Sequence, residues 1–495
     1  MRRGLFLLFV AAACGNAVPP KPIAKPATPA ASVSVSASAS TTASAEPPAD
    51  REHEPPLGPE VSFAMPQVKE TKLANGLRIL SANTGGGMFA MRAVFEGFSV
   101  FPAERAAAAR VMVKSLFGGT PKNDAHALRR VLEKRFATWS TNITADSVFI
   151  DMSMPADDVR PCVEVIADVL ENAGLDNLTI GFELLQIVSQ GQTARENPQL
   201  VGYNALTRAL YGDGHAYARS TTVLDGSPNV DRVEVQRIYD EIIDPANATI
   251  VVAGAVDRPL LEYVEHQFQS WRSRAHAAST AVTVSARTGP RLVVVDRPGS
   301  VQSQITYGAI APARSSADWY TMTMIHQLLG ARRSSRLVHT LEVGSTHYEQ
   351  HRAEGPFYWD SSVPIADTGK TLREIDKALR DIAQNPVTAS ELDERKALYV
   401  RQVPLWFETA HETADAISPI ACYKLPTDAL ERIIPGIRAV TPDAVRALAQ
   451  VRLAPDKTRA VVVGDWSKLR TELKALGWGP IEIRDVAGKV LRVEK

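Results

Sequence analysis

The chain has 495 residues, with 55 Lys and Arg against 55 Asp and Glu, 45% apolar residues and three cysteines. Zero formal net charge and the lack of any Lys/Arg-rich run exclude a basic surface built to hold nucleic acid. Three cysteines are too few for a disulfide framework or a Cys-based zinc module. After the first fifteen residues no apolar run approaches the roughly 20 residues that cross a bilayer.

Arg2 and Arg3 precede the apolar run Leu5 to Ala13, which ends in small residues directly before Cys14. A charged start, a short apolar stretch and a small-residue end read as an export signal over residues 1–13 rather than as a spanning helix. Ala11-Ala12-Ala13-Cys14 resembles a bacterial lipobox, which implies cleavage before Cys14 and its acylation. Gly15 after the cysteine implies a cell-envelope lipoprotein facing the periplasm, with sorting to the outer membrane. The other reading is an ordinary secretory signal with an incidental cysteine. Residues 14–64 are dominated by Pro, Ala, Ser and Thr, with too few large apolar side chains to offset ordering entropy. About 45 such residues predict a tether with an end-to-end distance of roughly 35–40 Å.

The folded part begins near Met65. Apolar alternation on either side of Asn75-Gly76 predicts a hairpin, followed by a strand over Phe89–Phe95. Helices are expected over Pro102–Leu116, over Asp124–Phe136 with Asp124 as cap and Glu133 on its solvated face, and over Ala156–Ala173. Thr138–Met154 alternates as a second hairpin. Strands and helices mix without regular βαβ alternation, so the expected class is α+β with antiparallel pairing.

The chain also repeats itself. Pro245-Ala246-Asn247-Ala248-Thr249-Ile250-Val251-Val252-Ala253-Gly254 recurs as Pro455-Asp456-Lys457-Thr458-Arg459-Ala460-Val461-Val462-Val463-Gly464. Each copy follows a helical stretch (Asp231–Ile243; Pro442–Val451) and precedes a helix running to a tryptophan, Trp271 or Trp478. Two similar domains of about 210 residues are expected, at 65–275 and 290–485, facing each other like a clam shell. The Ala/Ser/Thr-rich stretch 276–289 is the natural linker.

KLANGLRIL at 72–80, SLFGGT at 115–120, ARENP at 194–198 and PANATIVVAGAVD at 245–257 are similar to segments of the insulinase/pitrilysin-type zinc peptidases. So are DRPGSVQSQITYG at 296–308, SSRL at 334–337 and FETAHETADAI at 407–417. The resemblance covers about residues 68–480, in order, and is to the branch with two domains per chain that includes the mitochondrial processing peptidases.

In that family an inverted H-x-x-E-H motif just before the LFxGT segment places two zinc-binding histidines on one helix face, with a water-activating Glu between them. Here Arg110 and Lys114 stand at the histidine positions and Val113 at the Glu. The third ligand, a Glu of the helix leading to the ENP turn, corresponds to Gln190. The resemblance therefore implies a chain that is not an enzyme on its own and holds no cofactor. Zinc would reside in a homologous partner chain bearing an intact H-x-x-E-H.

What the family pattern retains is Arg336 in the second half, followed by Gly344 and Tyr348. By resemblance these two are the candidate substrate-binding pair, donors for a peptide carbonyl or oxyanion. Equally, Arg336 reads as a structural ion-pair partner and Tyr348 as a core residue with a bonded hydroxyl. His347-Tyr348-Glu349-Gln350-His351 has metal-like spacing only on a helix; in the strand that the resemblance implies, its histidines lie ~13 Å apart. Cys162 and Cys422 sit in apolar helical stretches and read as buried thiols, with a disulfide between them left open. His215 reads as structural.

The expected function is that of a non-catalytic subunit of a heterodimeric zinc peptidase. It would close a chamber around an unfolded peptide. The alternative is a structural or peptide-binding envelope lipoprotein with no part in proteolysis.

Overall fold

The computed structural model describes residues 58, 62–97, 105–218, 230–274, 282–285 and 289–495. The expected signal, Cys14, most of the tether and most of the linker lie outside the described residues.

The first half contains β1 (Lys69–Lys72), β2 (Arg78–Asn83), β3 (Met88–Glu96), α1 (Ala106–Ser115), α2 (Ala125–Glu133), β4 (Thr138–Ile143) and β5 (Ser147–Pro155). It continues through α3 (Arg160–Asn172), α4 (Asn177–Glu196), α5 (Pro198–Tyr211), α6 (Arg232–Ile242), β6 (Thr249–Gly254) and α7 (Arg258–Phe268). The second half opens with β7 (Leu292–Asp296), β8 (Gln302–Ile310), α8 (Trp319–Leu329), α9 (Arg336–Leu341), β9 (Ser345–Tyr348) and β10 (Pro356–Pro364). Then follow α10 (Thr368–Gln384), α11 (Ala389–Gln402), α12 (Ala410–Cys422), α13 (Ile433–Ala439) and α14 (Pro442–Arg452). The chain finishes with β11 (Arg459–Gly464), α15 (Trp466–Lys474), β12 (Ile481–Arg484) and β13 (Val490–Glu494).

The predicted hairpins form. β1 pairs antiparallel with β2 around a turn where Gly76 takes φ 92°, and β4 pairs with β5. Asp124 caps α2 by accepting from the Ala127 amide, and Glu133 is exposed.

Two sheets result, in the orders β1-β2-β6-β3-β5-β4 and β13-β12-β7-β11-β8-β10-β9. The run β2-β6-β3-β5-β4 repeats as β7-β11-β8-β10-β9 with the same strand directions, so the sequence repeat is a repeat of topology. Most ladders are antiparallel, as expected; β2/β6, β7/β11 and β7/β12 are parallel. The sheets are thus mixed. β6 and β11 return to the sheet only after a long helical excursion, and hairpin signals carry no information about such distant partners. Both are Val-rich and buried at every residue, as befits strands covered on both faces.

One face of each sheet is covered by a helix from the other half. α5 packs on β8 and β11, while its counterpart α12 packs on β3 and β6. Close approach explains two glycines. A Cβ on Gly202 of α5 would lie 2.6 Å from Thr306 Oγ1. A Cβ on Gly254 of β6, which has φ +97°, would lie 2.6 Å from the Ala410 Cβ of α12. Polar bonds fix the exchange: Gln199 of α5 donates to Asp360 of β10 at 2.6 Å, and Arg92 of β3 donates to Ser418 of α12 at 3.2 Å.

Candidate functional site

The Ala-rich helix α1 is buried from Ala107 to Val113, packs against α4 and α6, and carries Lys114 in its last turn, a cation suited to a helix C-terminus. Arg110 and Lys114 lie one turn apart on it. Arg110 is buried, and its Nη1 is sealed from solvent with no hydrogen-bond acceptor. Burial without a carboxylate beside it depresses the guanidinium pKa to about 10. Val113 is fully buried in the apolar core. Lys114 is exposed and its Nζ donates to the Thr141 carbonyl of β4 at 2.8 Å.

The neighbouring helix α4 starts at Asp176, whose carboxylate accepts from the Leu178 and Thr179 amides. Gln190 lies exposed on α4. Glu183, on the same helix, has its pKa raised by burial and is partly drawn back by the charge of Lys114. The side chains at these positions do not fit a zinc ion. Two are cations, one is an aliphatic, and the amide offers a single weak oxygen donor. Among the described residues no group of three or more His, Cys, Asp or Glu is placed to share a metal.

Arg336 begins α9 and each of its three nitrogens is bonded to an acid of the helices around it. Its Nε and Nη2 engage Glu391 of α11 at 2.8 and 2.7 Å, and its Nη1 reaches Asp381 of α10 at 3.0 Å. The hydrogen bonds it donates to Glu391 raise the guanidinium pKa further. Tyr348 ends β9, and its hydroxyl donates to the Pro312 carbonyl at 2.7 Å. Burial pushes its pKa well above the usual phenol value. No hydrogen bond joins Arg336 to Tyr348.

His347 and His351 do not share a helix. His347 lies in β9 and stacks on Tyr358 at 4.8 Å, whereas His351 stands beyond the strand end and stacks on Tyr217 at 4.2 Å. His351 is the centre of a polar junction that sequence reasoning missed. Its Nδ1 meets Asp146 of the β4–β5 turn at 2.8 Å and its Nε2 faces Glu349 at 3.8 Å. Burial opposes its charge, but these two carboxylates win and raise its pKa to about 9. Tyr217 donates to the other Asp146 oxygen at 2.9 Å, and Tyr203 to Glu349 at 2.6 Å. With a carboxylate at each ring nitrogen, the imidazole has no free lone pair to serve as a base. It is a tie between the halves.

The remaining candidates are structural. Cys162 and Cys422 are free, buried thiols, each pushed up to about 11 by burial. His215 accepts from the Tyr217 amide at Nδ1 (3.0 Å) and contacts the Thr283 carbonyl through Nε2 (3.1 Å).

Comparison with known proteins agrees with this architecture. Residues 229–399 match the family model described as the Peptidase M16 inactive domain. Cytochrome b-c1 complex subunit 1 of Caenorhabditis elegans is 26% identical over 198 residues, 40% of this chain and 41% of that one. Mitochondrial-processing peptidase subunit beta of Mus musculus is 23% identical over 252 residues, 50% of this chain and 51% of that one. The chain thus spans about half the length of these mitochondrial relatives. An uncharacterized zinc protease of Mycobacterium tuberculosis is 22% identical over 426 residues, 82% of this chain and 96% of that one. A solved Peptidase M16 inactive domain from Pseudomonas fluorescens superposes with TM-score 0.72 at 18% identity, over 80% of this chain and 98% of that one. A protease from Helicobacter pylori gives 0.74 at 16%, over 81% and 100%. The chain is thus similar to the insulinase/pitrilysin-type (M16) peptidases in sequence and fold, and its residues 229–399 match the model of that family's inactive domain.

Proposed function

We propose that this chain is a non-catalytic subunit of a heterodimeric M16 peptidase, closing a peptide chamber whose zinc belongs to a homologous H-x-x-E-H partner. The observation that carries this reading is the chemistry of α1 and α4. A buried cation at 110, an aliphatic at 113, a second cation at 114 and an amide at 190 stand where metal chemistry needs donors and a base. A peptidase-like fold kept without that chemistry suits binding and closure rather than turnover. The relationship to a processing-peptidase subunit supports partnership with a second chain of the same family. In this reading residues 65–275 and 290–485 are the two peptidase-like domains, joined by 276–289. Arg336 and Tyr348 act by exchanging their present partners for a substrate carbonyl. Cys14 anchors the tether to the envelope, on the periplasmic side of the outer membrane.

A second reading, a structural or peptide-binding lipoprotein outside proteolysis, is favoured by the saturation of Arg336 with Glu391 and Asp381. Kinetics of the assembled complex separate the two. Arg336→Ala and Tyr348→Phe reduce cleavage of an unfolded peptide if this chain contributes to binding, and leave it unchanged if it only scaffolds.

A further inference from the structure

Among the described residues the buried arginines are Arg110, Arg314, Arg395, Arg459 and Arg484. Arg395 donates to Ser334, Arg459 to the Asp456 and Thr458 carbonyls, and Arg484 to Glu482 and Asp213. Arg110 has a nitrogen sealed from solvent. Arg314 differs from all four. Its side chain makes no hydrogen bond or ion pair with any described residue, yet none of its nitrogens is sealed. At 7% exposure the guanidinium has given up most of its hydration and gained no acceptor in return.

Aromatic groups hold Arg314 in place. Its amide donates to the His351 carbonyl at 3.1 Å, and its guanidinium lies 3.8 Å from the ring centre of Trp319, the first residue of α8. Four tyrosines act on its charge: Tyr320 of α8, Tyr399 of α11, Tyr348 of β9 and Tyr423 after α12. Burial is the larger effect and lowers its pKa. Tyr348 and Tyr423 have spent their hydroxyls on the Pro312 and Gln350 carbonyls. Tyr399 has not. It is 6% exposed, its hydroxyl has no partner among the described residues, and that oxygen is not sealed either. Arg314 is the charge that acts on it. Asp318, the nearest carboxylate along the chain, is exposed and pairs with neither group.

We infer that Arg314 and Tyr399 form a binding site for a small monocarboxylate, with the guanidinium edge and the Tyr399 hydroxyl donating to its oxygens and the rings of Trp319 and Tyr320 bordering its apolar body. A guanidinium stacked flat on a ring keeps its N–H edge free, and that edge matches the two oxygens of a carboxylate. One unpaired cation balances one negative charge. A phosphate, with about two at neutral pH, would keep part of its charge uncompensated in a buried place. The site lies in the second half of the chain and does not depend on the peptide-chamber reading.

Benzoate, with benzamide as its neutral counterpart, tests the inference on the full chain by calorimetry. One benzoate should bind per chain, with benzamide at least about tenfold weaker, and Arg314→Gln should weaken benzoate by about tenfold or more. Tyr399→Phe keeps the ring and removes only the hydroxyl, so it tests the site even if Arg314→Gln fails to fold. It should weaken benzoate by roughly threefold to tenfold while leaving the urea midpoint unchanged. Equal affinity for benzoate and benzamide, inorganic phosphate binding as tightly as benzoate, unaltered benzoate binding in either variant, or no benzoate binding at all would overturn it.

Discussion

The imidazole of His351 and the carboxylate of Asp146 meet at 2.8 Å across 205 residues of sequence, joining the β4–β5 turn of the first half to the loop after β9 in the second. Asp146 is buried, the His351 side chain is 14% exposed, and both are charged. Removing the Asp146 charge leaves the imidazolium with only the more distant Glu349, so Asp146→Asn should cost about 3 kcal/mol near neutral pH, read from urea midpoints.

The same pair sets a pH dependence. His351 titrates at about 9 when folded and near 6.5 when unfolded. Its raised pKa contributes stability that is fully present below about pH 6.5 and is lost as pH rises through about 9. Asp146 and Glu349 are both lowered, by their bonds to His351 against the opposing effect of burial. Their contribution is present above the unfolded carboxylate pKa of ~4 and lost as pH falls through their folded values. Wild type should therefore lose stability between about pH 6.5 and pH 9 more steeply than Asp146→Asn, and chemical denaturation at pH 6 and pH 10 measures the difference. The tyrosines facing this cluster, Tyr203, Tyr217 and Tyr358, are raised well above 10 and stay neutral across that window.

Arg110 is a buried guanidinium whose Nη1 has no acceptor, and no carboxylate offsets its desolvation. Arg110→Met removes that cost while keeping side-chain volume. It should raise stability by about 1–3 kcal/mol, measured by urea denaturation. A loss of similar size would mean that Arg110 holds a partner not seen in the fold.

The correspondence of these positions to the family's metal site can be tested by restoring it. The combined variant Arg110→His, Val113→Glu, Lys114→His and Gln190→Glu should bind about one zinc per chain, counted by elemental analysis after dialysis. Failure of the folded variant to take up zinc would contradict the correspondence of these four positions to the family's metal site.

Gly254 tests the helix exchange. With φ +97° and a notional Cβ 2.2 Å from the Met88 carbonyl and 2.6 Å from the Ala410 Cβ, it leaves no room for a side chain. Gly254→Ala should destabilise the whole body by more than about 2 kcal/mol, in a single denaturation transition, because α12 and the first sheet shift together. Loss of the first half alone would show that the exchanged helices do not couple the halves.

Local signals and the internal repeat were legible in the sequence. The Asn75-Gly76 hairpin, the cap at Asp124, the strands flanking the turn at 144–146 and the paired β6 and β11 segments all depend on neighbours a few residues away or on an echo of the same pattern. What sequence reading missed is long-range. The parallel β2/β6 pair and the crossing of α5 and α12 depend on packing between segments that carry no mutual mark. Asp146 lies 205 residues from His351, which reads in sequence as half of a metal spacing, and only the fold brings them together. Arg336 was legible as an ion-pair residue or a ligand-binding one; Glu391 and Asp381 now supply its partners, and nothing in SSRL announced them.

The central claim is that this chain works beside a catalytic homologue. Affinity purification of the tagged, detergent-extracted protein, with copurifying chains identified and counted by mass spectrometry, tests it most directly. The account predicts one stoichiometric partner with an intact H-x-x-E-H motif, and one zinc per pair that departs with that partner. Recovery of the chain alone, or with its own tightly held zinc and peptide-cleaving activity, would contradict it.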